Sequence, residues 1–98
     1  HLGGGLPFYA AMPEVRKALK NVYVDTAAWP LLYKPEIFPA MADLFGAERI
    51  LFATDYPMLD QRRVLEQTQD LSLPGETLKG ILGDNAARLL GLAAEKQG

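Results

Sequence analysis

The period of the hydrophobic positions changes several times along this chain, and each change marks an element. Behind Pro13, whose fixed φ suits a first helical turn, Val15, Ala18 and Leu19 form an apolar side, which predicts a helix over Glu14–Lys20. Asn21 breaks it. The β-branched and aromatic run Val22-Tyr23-Val24-Asp25-Thr26 then reads as a strand. A loop over Ala27–Pro35 holds Trp29, Pro30 and Tyr33. Helical spacing returns at Ile37, Phe38, Met41, Leu44 and Phe45, predicting a helix from Glu36 to Phe45 with Pro39 in its first turn and Gly46 as its stop. Ile50-Leu51-Phe52-Ala53-Thr54 is apolar on both faces, the signature of a buried parallel strand. Three helices follow: Asp60–Leu71 capped by Asp60, then Pro74–Leu82 and Asp84–Leu90, closed by Gly83 and Gly91. The first thirteen residues are interrupted by Gly3, Gly4, Gly5, Pro7 and Pro13 and read as neither helix nor signal peptide.

This order, with a helix between two parallel strands, is α/β. Two parallel strands are too few to be stable alone, and a strand apolar on both faces needs neighbours. The chain is therefore expected to be a piece of a larger sheet, or else to be completed by other copies of itself. A start at His1 rather than Met points the same way. Composition adds exclusions. A net charge of −2 without a basic block argues against nucleic acid as a partner. The absence of cysteine removes disulfides, thiolate metal sites and a thiol nucleophile. No apolar run reaches the roughly 18 residues of a membrane span, so no membrane partner is expected.

Three islands hold the candidate chemistry: His1–Phe8, Ile50–Pro57 and Gly83–Leu92. Asp55 follows a buried strand and shares a face with Leu51 and Ala53, so it is a carboxylate at an apolar rim that needs a metal or a cation. The competing reading is an Asp opening a Tyr-Pro turn. His1, the only histidine, titrates near neutrality, and Gly3 and Gly4 after it leave room for a substrate; the plainer reading is a frayed terminal residue or the end of a tag. Asp25 is a possible rim residue on the side of Asp55. Trp29 and Tyr33 either line a substrate pocket or anchor their loop. Asn85 reads as a capping amide and Arg88 as a solvated or carboxylate-paired guanidinium, with Leu89, Leu90 and Leu92 packed inward.

In this order the three islands resemble the amidohydrolase group typified by aminocarboxymuconate-semialdehyde decarboxylase. His1-Leu2-Gly3-Gly4-Gly5-Leu6-Pro7-Phe8 is similar to its H-x-G-G-x-x-P-F motif, Thr54-Asp55-Tyr56-Pro57 to its G-[TS]-D-Y-P motif with Ala53 in place of the glycine, and Asn85–Leu92 to its closing segment. The resemblance implies the C-terminal portion of a (β/α)8 TIM barrel, about strands seven and eight with their helices, over residues 1–92, followed by a polar tail at 93–98. It implies that Asp55 ligates a divalent metal, zinc being the expectation, and that His1 acts as general acid/base. The first-strand H-x-H pair and the fifth-strand histidine have no counterpart here. The expected parent is a cytoplasmic metal-dependent hydrolase acting on a small molecule, with non-oxidative decarboxylation of a small aromatic or unsaturated acid as the alternative. The 98 residues alone are expected to be inactive and to self-associate or sit beside the rest of the barrel, and a homo-oligomer is expected. A rival of another class is a non-catalytic α/β interaction module that grips a partner through Trp29, Tyr33 and their loop.

Overall fold

A computed structural model describes residues 1–92, so the expected tail at 93–98 lies outside the described residues. Its elements are α1 (Leu6–Tyr9), α2 (Pro13–Ala18), β1 (Val24–Asp25), α3 (Trp29–Leu32), α4 (Ile37–Met41), β2 (Ile50–Leu51), α5 (Gln61–Gln69), α6 (Gly75–Lys79) and α7 (Asn85–Leu89). A π-helical turn over Ala42–Gly46 extends α4, and a second over Gly80–Asp84 joins α6 to α7. The strands are parallel, with Val24 opposite Ile50 and Asp25 opposite Leu51. Val24, Ile50, Phe38, Met41, Phe45, Val64 and Ile81 form the buried core between sheet and helices, while Leu51 and Ala53 on the other face stay half-buried.

The strands are shorter than their sequence pattern because a side chain takes over the ladder. After Thr26 N–H donates to the Leu51 carbonyl at 2.9 Å, the Thr26 hydroxyl donates to the Ala53 carbonyl at 3.0 Å and accepts from Ala53 N–H at 2.9 Å. On the far side of β1, Leu2 N–H donates to the Asp25 carbonyl at 2.7 Å, which ties the start of the chain to that edge of the strand.

Several expectations need correction. The glycine-rich start does contain a helical turn, α1, with Pro7 in its first positions, where a missing N–H costs least. The loop after β1 contains α3. Gly83 stops nothing, since it lies within the π-helical turn, whereas Gly91 at φ +75° does end α7. Leu89, Leu90 and Leu92 are exposed rather than packed inward. Asn85 is no cap: it is 2% exposed, and its amide nitrogen donates to the Ala47 and Ile50 carbonyls at 2.8 Å each. The Ile50 carbonyl and the Phe52 N–H project from the same edge of β2, and Phe52 N–H donates to the Ile81 carbonyl at 3.0 Å. That edge is therefore closed over Ile50–Phe52 by the segment joining α6 and α7.

Arg49, 8% exposed, ties the amino-terminal end of the sheet to the helices. Its guanidinium donates to the Leu19 and Phe45 carbonyls, at the ends of α2 and α4, and lies 4.3 Å from the Phe45 ring centroid.

Candidate functional site

Parallel strands carry their chemistry at their carboxyl ends, where the loops converge. Here that end gathers His1, Asp25 and Asp55. Asp55 lies four residues beyond the last paired residue of β2, at φ +75°, a left-handed conformation that costs a non-glycine residue about 1–2 kcal/mol and that Asp tolerates better than most. The turn that imposes it is closed by Met58 N–H on the Asp55 carbonyl at 2.9 Å and by Tyr56 N–H on the Thr54 hydroxyl at 3.2 Å. Asp55 is thus both a turn residue and a rim carboxylate, and the two readings of it are compatible. Its backbone makes the turn and its side chain stays free to bind.

The Asp55 carboxylate meets the imidazole. His1 Nε2 lies 3.3 Å from Asp55 Oδ2, although 54 residues separate them. Both side chains remain open to solvent, at 57% and 40%. The His1 backbone is held from two sides. The Leu2 N–H of the His1–Leu2 peptide is bound to Asp25, as above. The carbonyl of that same peptide accepts from Gly4 N–H at 3.1 Å and from the Tyr33 hydroxyl at 2.9 Å.

Asp25 lies opposite Leu51 in the register, and its Oδ1 accepts from the chain's amino-terminal ammonium and from Ala27 N–H, each at 3.0 Å. Burial pushes its carboxyl upward, but the Ala27 N–H and the neighbouring ammonium outweigh that and hold it below the usual value.

The glycines divide their work. Gly3, at φ +72°, is pressed against Val24, where an added Cβ would sit 3.3 Å from Val24 Cγ1. Gly4, at φ +61°, faces open space. Of its two possible roles, Trp29 takes the anchoring one: it is 4% exposed, donates from Nε1 to Thr68 Oγ1 at 3.0 Å and meets Phe38 edge-on at 5.0 Å. A cavity of about 500 Å³ between the α3–α4 region and the end of α5 has Trp29 in its wall but neither His1 nor Asp55. Arg88 is exposed, 3.4 Å from Asn85 Oδ1. The hold of Tyr33 on His1 has no sequence signal, because it joins residues from two different loops.

Two of the solved structures that share this arrangement of elements are decarboxylases. One is a dihydroxybenzoic acid decarboxylase from Polaromonas sp. JS666 with bound manganese and the inhibitor 2-nitroresorcinol, matched with a TM-score of 0.78 at 20% identity over 93% of this chain and 32% of that one. The other is a 5-carboxyvanillate decarboxylase from Sphingomonas paucimobilis, with a TM-score of 0.73 at 15% identity over 95% of this chain and 32% of that one. At such identities the likeness is one of fold, and this chain spans about a third of either protein. No curated protein matches it in sequence. The amidohydrolase family model matches residues 1–92, from the histidine that meets Asp55 through the helix that closes the β2 edge. The chain belongs to the amidohydrolase family.

Proposed function

We propose that this chain forms the proton-transfer and metal-binding rim of a metal-dependent carboxy-lyase that releases CO2 from a small aromatic acid without an oxidant. The observation that carries the reading is the approach of His1 Nε2 to Asp55 Oδ2 at the carboxyl end of the sheet, within the family match. The substrates named for the two structural neighbours support the choice of acid. A carboxylate oxygen beside an imidazole nitrogen suits zinc or manganese, the latter being the ion bound in one neighbour. A catalytic ion takes about three protein ligands. Among the described residues no group of three or more His, Cys, Asp or Glu is placed to hold one. Asp55 would therefore supply one ligand and the rest of a barrel the others.

When bound, the ion would polarise a substrate oxygen. His1 delivers a proton from its imidazole to the ring carbon whose bond to the carboxyl group breaks. The electron pair of that bond stays on the carbon, CO2 departs, and the added proton balances the charge. Asp55 keeps the imidazole aimed.

The family's own description favours a second reading, hydrolysis, in which His1 would protonate a leaving group instead. A complete barrel carrying this sequence, supplied with manganese or zinc, separates the two. Hydroxybenzoic acids should release CO2, and Asp55→Asn and His1→Asn should each lower that rate by at least about a hundredfold, as expected for lost acid–base groups. Turnover of amides or lactones with no CO2 from any acid would reject decarboxylation. Near-normal turnover by Asp55→Asn would reject the site.

A further inference from the structure

The His1–Leu2 peptide is bound at both its polar groups, and three of the atoms that bind it belong to backbone or side chain in a way that separates their roles. Leu2 N–H is held by the Asp25 carbonyl, and the His1 carbonyl is held by Gly4 N–H and by the Tyr33 hydroxyl. Of these three contacts only the Tyr33 contact comes from a side chain. Leu2 itself sits at φ +55°, a left-handed conformation that Leu rarely adopts, so the peptide needs these contacts to keep its orientation. Holding the peptide fixes the position of the His1 α-carbon, from which the imidazole reaches Asp55. Tyr33 is fixed in turn. Its N–H donates to the Trp29 carbonyl at 2.9 Å at the end of α3, and the Trp29 indole is bound to Thr68 on α5.

We propose that Tyr33 is a positioning residue for His1: its hydroxyl, held by the anchored α3, fixes the His1 carbonyl and so keeps the imidazole against Asp55. This rests on the reading of His1 and Asp55 as a working pair. The Tyr33 hydroxyl donates to the His1 carbonyl rather than to the imidazole or the carboxylate, so it acts through the peptide.

Because His1 is the only histidine, isotopically labelled histidine gives a single imidazole signal in the 98-residue chain. That signal is recorded in the parent sequence, in Asp55→Asn, in Tyr33→Phe and in the double variant. The expected result is a clear response of the imidazole to Asp55→Asn in the parent, falling to less than half in the Tyr33→Phe background, with the backbone amide spectrum of Tyr33→Phe unchanged beyond the first few residues and the neighbours of Tyr33. An equal response in both backgrounds would overturn the role of Tyr33 and leave the His1–Asp55 pair intact. No response in the parent would remove the pair itself, and Tyr33 would have nothing to position. A general collapse of the amide spectrum in Tyr33→Phe would make the hydroxyl a folding contact and overturn the proposal as well.

Discussion

Replacing Asn85 by alanine tests how the end of the chain is tied to the sheet. The amide nitrogen of this buried residue donates to the Ala47 and Ile50 carbonyls at 2.8 Å each, so one side chain spans from α7 to the turn before β2 and to β2 itself. Losing the bond to Ala47, whose carbonyl keeps the Ile50 N–H as a partner, costs about 1 kcal/mol, and leaving the buried Ile50 carbonyl without a partner costs about 1–3 kcal/mol. Asn85→Ala should therefore cost about 2–4 kcal/mol, a large part of the 5–15 kcal/mol of a typical domain. Asn85→Asp should be at least as damaging, because it sets a carboxylate against two carbonyl oxygens. A methyl group on Gly80 would come within 2.9 Å of Asn85 Oδ1, so Gly80→Ala should disturb the same tie from below. Arg88→Ala is the control. Its guanidinium is exposed and its contact to Asn85 is long, at 3.4 Å, so its loss should stay within about 0.5 kcal/mol. Urea unfolding followed by the fluorescence of Trp29, the single tryptophan, gives these differences. All variants are compared at one protein concentration, since association would add its own contribution. A loss below about 1 kcal/mol for Asn85→Ala would refute the tie and return Asn85 to an ordinary polar residue.

Three further outcomes follow from the same geometry. With no group of three or more His, Cys, Asp or Glu placed to hold an ion among the described residues, the isolated chain should bind zinc no better than about millimolar; stoichiometric binding at micromolar zinc by calorimetry would reveal ligands not accounted for. The same chain should sediment as more than a monomer, because Leu51 and Ala53 are only half covered and Phe8, Leu31, Leu32, Tyr56 and Met58 are exposed; a sharp monomer peak with a concentration-independent melt would contradict this. Asp25 is held below its ordinary value of 3.8, so its small, solvent-screened contribution to stability should be complete above that value and fade as the pH falls through the lowered one; Asp25→Asn should flatten the acid limb of a stability profile, and an unchanged limb would discount the carboxylate.

The sequence was informative wherever one residue decides local geometry. Pro13 opens α2, Asp60 caps α5 with a 3.0 Å bond from Arg63 N–H, and Gly91 ends α7, each by a rule that acts within a few residues. The parallel pairing of β1 and β2 was legible too, because a strand apolar on both faces leaves few alternatives. What was hidden is tertiary. Gly83 resembles a helix stop, but the turn around it continues because the Ile81 carbonyl and the Asn85 amide there close the β2 edge. The strands stop early because the Thr26 hydroxyl replaces a backbone partner, which no periodicity encodes.

The candidate site divides along the same line. Asp55 could be singled out from its place after β2, and His1 from its chemistry, but their meeting across 54 residues depends on Leu2 being tied to the edge of β1. That placement uses the Asp25 carbonyl, the Gly4 N–H and the Tyr33 hydroxyl, two of them backbone groups whose partners do not depend on side-chain identity. A residue whose function lies in its carbonyl or N–H leaves little trace in a pattern of side chains. In this chain the groups that would move a proton are legible as residue types, while the contacts that aim them are legible only in three dimensions. Trp29 illustrates the point. Its residue type suits either a pocket wall or an anchor for its loop; in three dimensions its indole meets Thr68 and Phe38, and through α3 it holds the tyrosine that holds the histidine.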